Sequence, residues 1–140
     1  REVRTPWKYG EDLCVEEIDG VGYCVLSDES LYTPELPRAA MLMGGEVLIW
    51  MDRRAREMDL KVAQTRAAEN KMFVVRASSA EQDVSYLVTP AGATACTTFC
   101  HAEQLACALI LQSDGLSKTV YPGTDIVRSR IPNAYKELIR

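Results

Sequence analysis

Histidine is nearly absent: His101 is the sole example in 140 residues. A serine or cysteine nucleophile that needs a histidine base therefore has one possible partner, and His101 sits in a polar stretch with no spacing that promises contact with another reactive group. The five cysteines, Cys14, Cys24, Cys96, Cys100 and Cys107, form no CxxC pair and are odd in number. They read as small buried hydrophobes in a reducing compartment rather than as a disulfide frame or a zinc site. Neither a metal nor a cofactor is expected. Basic excess is lacking too: the net charge is -4 and the pI about 5.1, which argues against a phosphate-backbone partner, so no nucleic acid is expected. No apolar run approaches the roughly 20 residues that span a bilayer, and no basic-then-apolar leader is present, so a cytoplasmic protein without a membrane partner is expected. An initiator Met is missing, which suggests a processed or trimmed piece of something longer. Repeats and low-complexity tracts are absent.

What is there is an ordinary globular composition, 47% hydrophobic and 26% charged, enough for one domain over residues 1–140 with its own core. "DLCVEEID" and "GVGYCVLSD" read as two strands joined at Asp19-Gly20, a dipeptide suited to tight hairpins. The second run is more continuously apolar, as an inner strand is. Thr33-Pro34-Glu35 has the makings of a helix start, with Leu36, Ala39, Ala40 and Met43 as an apolar stripe ended by Gly44-Gly45. "EVLIWM" then returns as a strand, giving a right-handed βαβ unit. Residues 53–71 are rich in helix formers, with Met58, Val62 and Thr65 at helical spacing among alanines that allow close approach to a sheet. "MFVVRAS", "VSYLVTP", "ATACTTFC" and "LACALIL" read as strands of a β meander. The tail is irregular until a last helix at "NAYKELI", capped by Asn133.

Taken in order, "WKYGE", "PELPRAAMLMGGEVLIW", "TRAAENKMFVVRAS" (Thr65 to Ser78), "SYLVTPAG" and "RSRIPNAYKEL" resemble the C-terminal half of the nitrilase, or carbon-nitrogen hydrolase, superfamily. The resemblance implies an α/β fold that is half of an αββα sandwich, a mixed sheet with two main helices on one face. It also implies amide or nitrile chemistry through a Cys nucleophile, a Glu base and an oxyanion-stabilising Lys. The base and the lysine belong to the earlier half of such a fold, which this sequence is expected to lack.

The nucleophile is expected after the "GYCVL" strand. Counting forward from Gly22 the position falls on Leu26, and counting back from Pro34 it falls on Asp28, with Ser27 between; none carries sulfur. Cys24 lies back in the strand, where burial would raise its pKa. The region Leu26, Ser27, Asp28 therefore reads as a site position that has lost its chemistry, and no residue is assigned a catalytic role. Glu29, Trp50 and Arg53 are candidates for ligand binding, each against a plainer reading as a loop residue, an aromatic closing the sheet edge or a solvated helix start; Arg38 is expected to be a surface or loop-pinning arginine. The expectation is a degenerate, non-catalytic nitrilase-like domain acting in assembly or ligand binding. The alternative is a carbon-nitrogen hydrolase whose site is completed by a missing N-terminal half through Ser27 or Asp28. Expected partners are another copy or that missing half, with a small-molecule ligand possible. The strands "YCVL", "VLIW", "FVV" and "YLV" would leave an apolar sheet face bare in isolation.

Overall fold

A computed structural model describes residues 10, 12–79, 84–99 and 104–139. The first hairpin pairs β1 (Glu16–Ile18) antiparallel to β2 (Val21–Ser27), with Ile18 opposite Val21. Its two-residue turn has positive φ at both positions, 52° at Asp19 and 77° at Gly20, the geometry that matches strand twist in tight hairpins. From β2 the chain passes through a 3-10 helix (Asp28–Tyr32), α1 (Glu35–Leu42) and β3 (Val47–Asp52), then α2 (Asp59–Asn70) and β4 (Phe73–Ser78). β2, β3 and β4 are parallel neighbours. Both crossovers advance in the same direction across the sheet, so right-handedness places α1 and α2 on one face. β5 (Tyr86–Val88) and β6 (Thr94–Thr97) continue antiparallel, giving a six-stranded sheet in the order β1-β2-β3-β4-β5-β6. Beyond it lie α3 (Gln112–Leu116), a ribbon of β7 (Thr119–Tyr121) and β8 (Thr124–Asp125), and a 3-10 segment over Pro132–Ile139.

The mixed sheet with two helices on one face is the architecture expected. Gly22 shows how closely the crossover packs: a Cβ there would collide with the Gly44 carbonyl. The strand register sorts the side chains cleanly. Cys24, Leu48, Val74 and Val88 form one row across the sheet, and Leu26, Trp50, Arg76 and Tyr86 the next; all eight are buried. All but the charged Arg76 join Leu31, Ala40, Met41, Ala63, Ala67 and Met72 in the apolar core. The alternate rows, Val25-Ile49-Val75-Leu87 and Ser27-Met51-Ala77, belong to the other face. There Val25 is 54% and Met51 52% exposed.

Several local expectations are corrected. Val74 lies under the helices and not on the bare face, because the period of two divides each apolar run between both faces. "LACALIL" forms no strand: residues 104–111 are irregular, with Leu105 89% and Leu109 94% exposed. A short apolar run specifies burial rather than pairing, and this one finds no strand partner. α2 begins at Asp59, with Arg53, Arg54 and Arg56 before it drawn into ion pairs at the ends of β2 and β3. Met58 is exposed, and of the expected α1 stripe Met43 is exposed while Ala40 is buried and Leu36 packs partly against the core, joined there by the buried Pro37 and Met41. The last segment is 3-10 from Pro132, one residue before the expected Asn133 cap.

Candidate functional site

The C-terminal ends of β2, β3 and β4 bring together the polar groups of the chain, where open α/β sheets commonly bind ligands. Asp28 follows the last residue of β2 with φ of 46°, a left-handed conformation that a non-glycine residue adopts only when its surroundings hold it. Three groups hold this turn. The Trp50 indole N–H donates to the Asp28 carbonyl at 2.8 Å, Arg66 from α2 donates to the carbonyls of Leu31 and Tyr32 at 3.0 and 3.3 Å, and the Tyr32 hydroxyl donates to Asp59 at 2.6 Å. Trp50 is fully buried. As the residue that props the turn from beneath, it has no face to offer a ligand.

Around this turn four arginines meet four carboxylates. Arg76, itself buried, donates to Asp52 and Asp59 at 2.9 Å each. Its guanidinium lies over the Trp50 and Tyr86 rings, 5.0 and 5.5 Å from their centroids, so aromatic faces share its charge. Arg56 donates to Asp52 at 3.2 Å, to Asp59 at 3.4 Å and to Glu29 at 3.1 Å. Arg54 pairs with Glu29, and Arg53 with Asp28 at 3.0 Å. The hydrogen bond from Arg53 holds the Asp28 carboxyl below its ordinary pKa, against a smaller opposing effect of burial. Burial, reinforced by the bond to Asp59, pushes the Tyr32 hydroxyl up to about 12.

Each sequence candidate now has a place. Leu26 points into the core. Ser27 ends β2 on the open face, exposed. Asp28 and Glu29 lie at the rim in ion pairs, and Arg53 closes over Asp28. Cys24 is buried on the helix-covered face, and burial raises its thiol pKa. Cys14 and Cys107 are exposed, which corrects the expectation that the cysteines are all core; Cys100 and His101 lie outside the described residues. Arg38 does pin another element, donating to the Glu69 carbonyl at the end of α2. Among the described residues no thiol lies at the β2 turn, and no group of three potential ligands could hold a metal. What the sequence reading missed is the network through Arg56, Asp59 and Arg76. Its signal was available: Asp52, Asp59 and Arg76 are charges set within apolar or helical runs.

No family model matches the sequence, and no curated protein matches it. Solved structures do match. The chain resembles a mutant of the Nesterenkonia AN1 amidase, described as from the nitrilase superfamily, with a TM-score of 0.73 and 19% identity over 92% of this chain and 49% of that one.

The fold is that of half a nitrilase-superfamily chain.

Saccharomyces cerevisiae Nit3, a member of branch 10 of that superfamily, matches at a TM-score of 0.74 and 18% identity, over 86% of this chain and 49% of its own. A further Nesterenkonia amidase structure, in which acrylamide has added to the active site cysteine, matches at 0.72 and 18% over 93% and 50%. The nitrilase-like chain thus spans about half the length of the structures it matches. No helix among its described residues is long and apolar enough to cross a membrane.

Proposed function

We propose that this nitrilase-like half domain is non-catalytic at its β2 turn and works in assembly, with its open sheet face taking a second layer of structure. The observation that carries the reading is the saturation of the crevice. Its carboxylates Asp28, Glu29, Asp52 and Asp59 are all engaged by arginines, and the residue at the strained turn is an acid salt-bridged to Arg53 rather than a thiol. A carboxylate held by a guanidinium is a poor base, because the partner that lowers its pKa also occupies its lone pairs. The apolar rows through Val25 and Met51 supply the assembly surface: packed sheets bury such rows against a second sheet. That layer is either a second copy or the other half of the fold.

The strained φ of Asp28 favours a second reading, since conformations of this kind concentrate at active sites. In that reading Asp28 or Ser27 works with groups from the other half, in a carbon-nitrogen hydrolase. Ammonia release from simple amides and nitriles separates the two. Background rates from the protein, alone and with any half that co-purifies, support the non-catalytic reading. Turnover abolished by Asp28→Ala or Ser27→Ala and retained in Cys24→Ala would overturn it.

A further inference from the structure

A second polar feature lies at the opposite end of the parallel strands. Val21, Val47 and Phe73, the first residues of β2, β3 and β4, line a half-enclosed cavity of about 260 Å³, closed from the tail by Ile110 and Gln112. Glu46 forms part of its wall. This residue is 8% exposed and precedes β3, with its backbone fixed by bonds to Gly22 and Phe73. Its Oε1 accepts one hydrogen bond, from the Gln112 side-chain amide at 3.3 Å. Its Oε2 is sealed from solvent and has no hydrogen-bond partner among the described residues. An ionised carboxylate so placed is costly unless something donates to it.

Lys118 is a charge within electrostatic reach of Glu46. Its ammonium donates to the carbonyls of Lys71 at 2.8 Å, Gly115 at 2.6 Å and Asn70 at 3.5 Å. Three carbonyls use its three donors, which leaves Glu46 with an attractive field but no hydrogen bond from it. Glu46 lines the cavity, and its terminal carboxylate torsion is soft, so a small rotation would let either oxygen meet a donor placed there. The Gln112 amide is also bonded to the Gly20 carbonyl at 2.9 Å, so it keeps a partner when Glu46 takes another donor.

We propose that this cavity binds a small amphipathic amine, with the ammonium on Glu46 and a short apolar body against Val21, Val47, Phe73 and Ile110. The volume falls below the ~300–1,000 Å³ of drug-sized sites, which restricts the ligand to a short alkyl or single-ring amine. The site is independent of the chemistry at the β2 turn, because it occupies the other end of the strands.

Titrating the full chain with n-pentylammonium, 1-pentanol and pentanoate, followed by NMR shifts of the Ile110 and Val47 methyls, tests this. The amine should saturate the shifts with a Kd at least about tenfold below that of the alcohol, as a charge-assisted bond to a buried carboxylate requires, and pentanoate should bind most weakly. Glu46→Gln should erase the preference for amine over alcohol. Equal affinity for amine and alcohol, or saturation by neither, overturns the proposal; so does tighter binding of pentanoate, which would make Lys118 the governing charge. If Glu46→Gln does not fold, the order of the three probes on the unaltered protein decides by itself.

Discussion

The two faces of the six-stranded sheet are built from the same strands and have opposite fates. Under α1 and α2 the rows Cys24-Leu48-Val74-Val88 and Leu26-Trp50-Arg76-Tyr86 are buried, and the polar groups that end this face are paired with one another. On the other face Val25 and Met51 are half exposed although their neighbours are apolar. A finished face satisfies both its apolar surface and its charges within the chain. The open face is finished only at one end, where the tail residues Ile110, Gln112 and Gly115 lie against Val47 and Phe73; further along the strands Val25 and Met51 remain half exposed.

The most severe way to break this comparison is to place the same charge on each face. Val74→Glu puts a carboxylate in a row with no polar partner. The expected cost exceeds about 4 kcal/mol, the range reserved for unpaired buried charges, so the variant should fail to show a cooperative unfolding transition. Val25→Glu, only one residue removed in the pairing register, should change stability by less than about 0.5 kcal/mol in a monomer. It should also dissociate any assembly formed through the open face, as measured by sedimentation. If both substitutions unfold the chain, the open face is covered from within and the assembly reading fails.

Arg76→Met is expected to follow in size. It strands Asp52 and Asp59 with only the partly exposed Arg56 as counter-charge, and the expected loss is about 3–5 kcal/mol by denaturant unfolding. A loss under about 1 kcal/mol would mean that Arg56 swings in to replace it. Trp50→Phe comes next. It keeps most of the ring but leaves the Asp28 carbonyl without its indole donor, for an expected loss of about 1–3 kcal/mol. Hydrogen exchange at residues 28–32 should rise more than elsewhere in the chain, since the turn loses its prop.

The divide between the faces also explains what the sequence revealed. The hairpin at Asp19-Gly20, the two crossovers and the mixed sheet were legible because turn chemistry and apolar periodicity are local. Which strand residues face which layer was also encoded, through the period of two, yet reading whole runs such as "FVV" as one surface assigned Val74 to the wrong side. The candidate site was only half legible. The turn at Leu26, Ser27 and Asp28 could be placed by counting from Gly22 and Pro34, whereas its clamp depends on Arg66 and Trp50, at separations of 35 and 22 residues from their acceptors Leu31 and Asp28. Long-range pairing leaves no periodic trace. Residues 104–111 failed for the converse reason, since their apolar run carries no information about the partner it lacks.

The finest distinction concerns Tyr32, which joins the clamped turn to the buried acids. Its hydroxyl donates to Asp59, and burial together with that bond raises its pKa from the ordinary 10 to about 12. The neutral, protonated phenol is therefore favoured in the folded state. The linked stability is fully present below pH 10, where folded and unfolded chains both keep the proton. It declines as pH rises from 10 to 12, because the unfolded chain releases the proton first. Tyr32→Phe lacks this term while keeping the ring under Arg56, so the gap in stability between the two proteins should narrow across that window. Lysines and cysteines titrating nearby contribute equally to both proteins and cancel in the difference. A gap that stays constant from pH 9 to 12, measured by urea unfolding, would mean that the hydroxyl does not donate to Asp59, and that the buried acids end the covered face without help from the turn.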